Sequence, residues 1–156
     1  QRASVSPHPT KARLGSVSSV TRVDGAVVCD ASVFIASAFA EPDSARARAL
    51  TRGRRLYAPS LLRYEVAHAA VKKCARRPDE ASRVQEFLVR SLRVPVTRVE
   101  PSWPAVVQMA REHGLSAYDA SYLQVAQALG VPLATLDERL AEVAETLGLL
   151  ATLRGD

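Results

Sequence analysis

Residues 27–42, VVCDASVFIASAFAEP, are almost wholly apolar and carry one aspartate, Asp30, near the start. A short aliphatic run such as residues 27–29 is typical of a strand buried on both faces, and residues 32–40 then predict a helix. The alternative is a signal peptide, because basic residues precede the stretch and residues 38–40 form an A-x-A-like cleavage site. Asp30 interrupts the apolar core and the preceding segment is long for a leader, so we expect a strand that ends at an acid.

The composition predicts one globular domain. A chain of 156 residues buries enough surface for a single core, and 47% hydrophobic with 24% charged residues argues against wholesale disorder. The two cysteines and three scattered histidines lack the spacing of a disulfide framework or a zinc site, so a cytoplasmic protein is expected. No other run approaches the roughly 18 apolar residues of a membrane span. The net charge of +5 suits an anionic partner such as nucleic acid.

The chain divides into a tail and one domain. Residues 1–22 mix Ser, Thr, Pro and basic residues without apolar periodicity, which predicts a flexible tail or an extended start, and the domain is expected at residues 23–156. We expect strands at residues 27–29, 56–57, 94–99, 131–136 and 149–153, and helices at residues 32–40, 42–53, 59–75, 78–92, 104–113, 117–129 and 138–147. This alternation indicates βαβ units, and hence an α/β fold whose parallel sheet is flanked by helices on both faces.

Four acids are candidates for the edge of the sheet where ligands bind, beyond the carboxyl ends of the strands. Asp30 and Asp137 directly follow predicted strands, Glu65 lies in mid-helix within the apolar stripe, and Asp119 opens a helix. Each has a structural alternative. The first two can cap the helices that follow them, Asp119 can form a capping box with Ser116, and Glu65 can lie at the border of the stripe or pair with an arginine.

Convergence of the four carboxylates would indicate a metal site. Nearby negative charges repel each other unless a cation lies between them. A set of ligands that contains only oxygen matches Mg²⁺ or Mn²⁺ and disfavours zinc. Such a site polarises a phosphoryl oxygen and lowers the pKa of bound water, so the acids predict phosphodiester hydrolysis that needs no protein nucleophile.

Four segments in this order, VVCDASVFI, YAPSLLRYEVAHA, LSAYDASYLQVA and PLATLDERL, resemble the motifs of PIN-domain ribonucleases, and most closely those of VapC toxins. The resemblance spans about residues 26–153, and the segment before the first strand departs from the family pattern. It implies a PIN-like fold with a parallel sheet of four or five strands, and Mg²⁺- or Mn²⁺-dependent endoribonuclease activity. It also implies a homodimer and a cognate antitoxin that blocks the active site.

The resemblance assigns the family's four acids to Asp30, Glu65, Asp119 and Asp137. On this assignment the three aspartates hold the metal directly or through water, and Glu65 orients the bound water or a second metal. Two hydroxyl groups match supporting positions of the family, and they belong to Ser32 and Thr135.

Two basic segments are candidates for contacts with the RNA backbone. They contribute Arg52, Arg54, Arg55, Lys72, Lys73, Arg76 and Arg77. The structural alternative is that these are solvated helix ends, where cations are favoured by the helix dipole. Aromatic residues are sparse, so we expect recognition of RNA to depend on shape and single-strandedness more than on stacking.

Three functions follow from these observations. The first is a metal-dependent endoribonuclease that acts as a toxin, with a housekeeping RNA-processing nuclease as its variant. The second is a catalytically weak PIN-like module that binds a partner protein. The third is a phosphatase that uses Asp30 as nucleophile, but its D-x-D signature fails because residue 32 is Ser.

Overall fold

The computed structural model describes residues 25–153 and places four parallel strands in one sheet. The strands are β1 (Ala26–Cys29), β2 (Arg55–Ala58), β3 (Val96–Arg98) and β4 (Leu133–Ala134), in the spatial order β3-β2-β1-β4. All four residues of β1 are buried. Because side chains alternate between the faces of a strand, this burial shows that both faces of the sheet are covered. The predicted α/β architecture is confirmed, while the tail predicted at residues 1–22 lies outside the described residues.

Three strands are shorter than the sequence suggested. The strand predicted at residues 131–136 covers only Leu133–Ala134. The strand predicted at residues 149–153 is reduced to a single parallel bridge between Leu133 and Leu150, because its neighbour β4 is only two residues long. The strand predicted at residues 94–99 begins at Val96, after Pro95, which has no backbone N–H to donate to β2. Strand length depends on the pairing partner, which a local pattern does not contain.

Between residues 25 and 153 the structure has seven α-helices. They are α1 (Ala31–Ala38), α2 (Ser44–Thr51), α3 (Leu62–Arg76), α4 (Ala81–Ser91), α5 (Trp103–His113), α6 (Ala117–Leu129) and α7 (Glu138–Thr146). A short 3-10 helix, Pro78–Glu80, forms the beginning of what the sequence predicted as one helix over 78–92. Gly114 and Gly130 end α5 and α6 with φ values of 63°, a left-handed conformation that glycine adopts without strain.

The helices pack in two groups around the sheet. Helix α1 packs against α2, α3 and α4, and α3 packs against α4, while α5 lies along α6, which packs on β1 and β4. The buried side chains are mainly Val, Leu and Ala, as the low aromatic content predicts. None of the helices in the described range has both the length and the apolar character needed to cross a membrane. This arrangement places the carboxyl ends of the strands, and the residues that follow them, at one edge of the sheet.

Candidate active site

Asp30 and Thr135 are neighbours at the carboxyl edge of the sheet. Asp30 follows β1 and Thr135 follows β4, and these two strands pair in parallel. The backbone N–H of Asp30 donates a 3.0 Å hydrogen bond to the carbonyl of Ala134, which continues the pairing to the end of both strands. The first predicted acid therefore lies where the sequence placed it, at the end of a central strand.

The carboxylate of Asp30 is held by two hydroxyl groups. Its side chain is buried, with 5% of the residue exposed. The hydroxyls of Ser32 and Thr135 both donate to Oδ2 at 2.7 Å. Each hydroxyl oxygen also accepts a backbone N–H, Ser32 from Leu136 at 2.9 Å and Thr135 from Asp137 at 3.0 Å. These bonds fix one carboxylate oxygen and join the segments that follow β1 and β4.

Glu65 lies at the border of the apolar stripe of α3, which corrects the prediction that it lies within the stripe. The fully buried positions of α3 are Leu62, Val66 and Ala70, and Glu65 is only partly buried. Helical periodicity identifies the apolar face but not its exact width, and the packing of α6 decides the environment of Glu65. From α6, the hydroxyl of Tyr122 donates to Oε2 of Glu65 at 2.5 Å.

Asp119 bonds to Ser116, the N-cap of α6, as its structural alternative predicted, but its carboxylate accepts from the Ser116 hydroxyl instead of the backbone N–H of a capping box. Its backbone N–H donates to Oγ of Ser116 at 3.0 Å, and the Ser116 hydroxyl donates to Oδ2 of Asp119 at 2.7 Å. The residue is partly buried, three positions before Tyr122 on the same helix. Asp119 therefore lies on the side of α6 that faces Glu65.

The three acids Asp30, Glu65 and Asp119 are close enough to influence one another. Burial raises the pKa of Asp30, the hydroxyls of Ser32 and Thr135 lower it, and the charge of Asp119 raises it again. Burial also raises the pKa of Glu65, against the hydrogen bond from Tyr122, and the charges of Asp30 and Asp119 add to the increase. Like charges therefore accumulate at this edge of the sheet, and a cation bound among them would relieve the repulsion.

Asp137 has a different role in the geometry. It is exposed and caps α7, because its Oδ1 accepts the backbone N–H of Leu140 at 2.7 Å. Its charge is not among the causes that shift the pKa of Asp30 or Glu65. The backbone of Asp137 nevertheless joins the network through the hydroxyl of Thr135. The structure thus groups three of the four predicted acids and places the fourth beside them as a helix cap.

The donor chemistry of the three grouped acids fits Mg²⁺ or Mn²⁺. All available ligand atoms are carboxylate or hydroxyl oxygens, the type these hard cations prefer, and the acids repel one another. As the side chains stand, no three acidic, histidine or cysteine groups within residues 25–153 are near enough together to hold an ion. The residues fit a divalent cation in charge and atom type, and binding would require the carboxylates to draw together.

The predicted basic contacts lie away from these acids or are engaged within the chain. Lys73 is eight residues beyond Glu65, about 12 Å along α3, and it pairs with Glu41. Arg77 pairs with Glu80 at 2.7 Å, and Arg54 donates to the carbonyl of Thr152 at 2.8 Å. The other predicted contacts are exposed, and they are Arg52, Arg55, Lys72 and Arg76.

Tyr122 is the residue of this site that the sequence reasoning did not select. Its ring is completely buried, so the pattern shows it only as an apolar member of the inner face of α6. The position three residues after Asp119 is the signal that was present, because residues three apart share one side of a helix. Its partner Glu65 is 57 positions away, which no local pattern reveals.

Comparison with known proteins supports the resemblance seen in the sequence. A family model described as PIN domain matches residues 27–146. Ribonuclease VapC3 of Pyrobaculum aerophilum is 35% identical over 127 residues, which cover 74% of this chain and 92% of that protein. Ribonuclease VapC9 of Mycobacterium tuberculosis is 32% identical over 123 residues, which cover 76% and 91%.

A solved structure is also similar to this chain. The crystal structure of PAE2754 from Pyrobaculum aerophilum superposes with a TM-score of 0.61 at 28% identity, and covers 80% of this chain and 90% of that one. The residues that the family model matches, 27–146, include β1 except for Ala26, the other three strands and all seven helices, together with Asp30, Glu65, Asp119 and Asp137. The chain therefore belongs to the PIN domain family, in which its relatives include the VapC ribonucleases.

Proposed function

We propose that this protein is a Mg²⁺- or Mn²⁺-dependent endoribonuclease that acts as the toxin of a VapBC-type pair. The observation that carries the proposal is the grouping of Asp30, Glu65 and Asp119, whose charges act on one another at the carboxyl edge of a parallel sheet. Ligands of open parallel sheets bind at this edge. The names of the relatives, VapC3 and VapC9 ribonucleases, supply the reaction class.

In this proposal Asp30, Glu65 and Asp119 hold the divalent cation, and Asp137 contributes from the rim. The cation, when bound, polarises a phosphoryl oxygen and lowers the pKa of a water molecule. Ser32 and Thr135 occupy Oδ2 of Asp30 with two hydrogen bonds and so fix the orientation of its carboxylate. Tyr122 does the same for Glu65, which in this proposal orients the attacking water toward the scissile phosphate.

The partners follow from the same proposal. The substrate is RNA, and the net charge of +5 favours association with its backbone. A cognate antitoxin protein covers the acid site and inhibits cleavage, the enzyme forms a homodimer, and the pair acts in the cytoplasm. The seven basic residues predicted from sequence remain candidates for backbone contacts outside the acid site.

The test is a cleavage assay on total RNA with mapping of the cut ends. Wild type is expected to cut with Mg²⁺ or Mn²⁺ and to stop on addition of EDTA. Asp119→Asn removes one charge while it keeps a side-chain oxygen that accepts from Ser116, so the variant is expected to fold normally and to be inactive. Circular dichroism checks the fold. Cleavage by Asp119→Asn at the wild-type rate, or undiminished cleavage in EDTA, would contradict the proposal.

A second candidate is a PIN-like module that binds a partner protein and does not cut RNA. The bond from the Ser116 hydroxyl to the Asp119 carboxylate and the helix cap made by Asp137 favour it, because these hydrogen bonds give both acids a structural purpose. This module would show no metal-dependent cleavage in the same assay. A housekeeping nuclease would cleave, but co-expression with the product of a neighbouring small reading frame would not inhibit it, whereas a toxin would be inhibited.

A further inference from the structure

Hydroxyl groups, and not cations, hold the carboxylates of two of the grouped acids. Oδ2 of Asp30 accepts from Ser32 and Thr135, and Oε2 of Glu65 accepts from Tyr122. Neither acid belongs to an ion pair in the part of the chain that the structure describes. A hydroxyl donates a hydrogen bond without carrying a charge, so it orients a carboxylate and leaves the negative charge to be balanced by another group.

Ser116 extends this pattern to the third grouped acid, Asp119. Ser116 is the N-cap of α6, and its hydroxyl donates to Oδ2 of Asp119 at 2.7 Å. The same hydroxyl oxygen accepts the backbone N–H of Asp119 at 3.0 Å. An N-cap serine satisfies the first turn of a helix by accepting such an N–H. Capping therefore explains the bond that Ser116 accepts, and the bond that it donates to the carboxylate needs a separate reason.

The donated bond fixes one carboxylate oxygen of Asp119 and leaves the other without a donor. Among residues 25–153, Oδ1 of Asp119 accepts no hydrogen bond and the carboxylate has no cationic partner. An acid at this position of a helix can also turn back toward the backbone N–H groups of the first turn. The Ser116 hydroxyl selects against that orientation by holding Oδ2, and Oδ1 stays available to a ligand.

We infer that Ser116 is a positioning residue of the acid site, whose hydroxyl holds the Asp119 carboxylate so that its second oxygen is available to a divalent cation. This inference rests on the proposed function, in which Asp119 holds the cation, and it adds a residue that the sequence indicated only as a cap. Hydrogen-bond partners that orient metal ligands commonly contribute about 10- to 100-fold to metal affinity. Ser116 is therefore expected to affect the binding of metal by the free protein, before any RNA is present.

The test measures the affinity for Mn²⁺ without RNA. Metal-free protein is titrated with Mn²⁺, and the EPR signal of the unbound ion gives the dissociation constant. Ser116→Gly removes the hydroxyl but keeps a residue that is well accepted at an N-cap, and its dissociation constant is expected to rise by about tenfold. Ser116→Thr keeps a hydroxyl that can both accept and donate, so its dissociation constant is expected to stay close to that of wild type.

Ser102 provides a matched control at the start of the neighbouring helix. It is the N-cap of α5, it is exposed like Ser116, and its side chain makes no capping bond. Ser102→Gly is thus the same substitution at an equivalent backbone position, and it is expected to leave the affinity for Mn²⁺ unchanged. Urea unfolding in EDTA checks that each variant is folded. If Ser116 served only as a helix cap, its substitution would change the free energy of unfolding and leave the affinity for Mn²⁺ as in wild type.

Three results would overturn the inference. They are wild-type affinity for Mn²⁺ in Ser116→Gly, a loss in Ser116→Thr as large as in Ser116→Gly, and an equal loss in Ser102→Gly. Failure of the proposed function is seen separately. Wild type that binds no Mn²⁺ would contradict the proposed metal site and this inference with it. If the affinities behave as expected but wild type cuts no RNA with metal, the nuclease proposal fails and the role of Ser116 in metal binding stands.

Discussion

The hydroxyl of Tyr122 donates a 2.5 Å hydrogen bond to Oε2 of Glu65, and this bond ties α6 to α3 at the candidate site. Tyr122 is completely buried, so its hydroxyl has no access to water and depends on this one acceptor. Glu65 is partly buried near Asp30 and Asp119, and the negative charges of these two residues repel its carboxylate. The bond therefore stabilises the fold and also holds the Glu65 carboxylate in position.

Tyr122→Phe is expected to lower both stability and activity. The variant keeps the buried ring but leaves the Glu65 carboxylate without its donor, which we expect to cost about 1–2 kcal/mol in the free energy of unfolding. Cleavage is expected to fall by roughly tenfold or more, as for other groups that orient metal ligands. Urea unfolding and initial cleavage rates measure the two effects.

Tyr57→Phe is the control for this substitution. Tyr57 is also partly buried, but its hydroxyl bonds to no residue in the described part of the chain, so little change is expected. If Tyr122→Phe were as stable and as active as wild type, the hydrogen bond to Glu65 would have no role in positioning.

The two hydroxyls on Asp30 are expected to differ in their effect on stability. Thr135 is buried, with 3% exposed, and Thr135→Val removes a donor to Asp30 and an acceptor for the N–H of Asp137. We expect a loss of about 2 kcal/mol, against about 1 kcal/mol for Ser32→Ala at its partly exposed position. Thermal or urea unfolding gives both values. A loss from Ser32→Ala larger than that from Thr135→Val would show that burial does not govern these bonds.

Periodicity and the position of aliphatic runs were enough to predict the fold class. The run ending at Cys29 is buried on every residue, so its strand and the acid that follows it were readable from local sequence. The start of β3 follows from Pro95, which has no N–H to donate, but the loss of the strand at residues 149–153 was not readable, because it depends on the two-residue length of its neighbour β4. Local sequence predicts which residues are buried, whereas the pairing of strands depends on segments that are distant in the chain.

Sequence reasoning selected the four acids and the two hydroxyls near Asp30, those of Ser32 and Thr135, but it did not select the donor to Glu65. Glu65 was selected because a carboxylate within an apolar stripe is costly, but its donor Tyr122 looks from sequence like a core residue. The basic clusters attracted attention because they are consecutive, although Lys73 lies about 12 Å along α3 from Glu65 and pairs with Glu41. Contacts between distant parts of the chain decide these roles, and a pattern along the chain does not record them.

The apo protein is expected to lose stability as pH rises from acidic values. Burial raises the pKa of Asp30 above its ordinary value of 3.8, so the folded state keeps a proton that the unfolded chain has released. Between the ordinary and the raised pKa the folded state binds more protons, and the free energy of unfolding therefore falls as pH increases. The stabilisation from Asp30 is fully present below its ordinary pKa, and it is lost once the pH has risen past its raised pKa. Glu65 acts in the same direction.

Urea unfolding in EDTA across this pH range measures the effect. Asp30→Asn is expected to flatten the pH dependence. The control is Asp43→Asn, which is expected to keep the pH dependence of wild type, because Asp43 is exposed and its side chain makes no capping bond. Saturating Mg²⁺ is expected to oppose the loss, because a cation bound to the ionised carboxylates stabilises the folded state. Apo stability that rises with pH through this window, or a slope unchanged by Asp30→Asn, would contradict the assignment.

Two substitutions of Asp137 separate its role as a helix cap from a role for its charge. The Oδ1 atom accepts from Leu140 at 2.7 Å, and Asp137→Asn retains an oxygen for that bond while it removes the charge. Asp137→Ala removes both, at a cost of about 1 kcal/mol in the free energy of unfolding, whereas the Asn variant is expected to stay within a few tenths of wild type. If Asp137 is the fourth acid of the site, cleavage falls by roughly tenfold or more in both variants. Wild-type cleavage by the stable Asn variant would leave Asp137 as a cap alone and restrict the metal-binding acids to Asp30, Glu65 and Asp119.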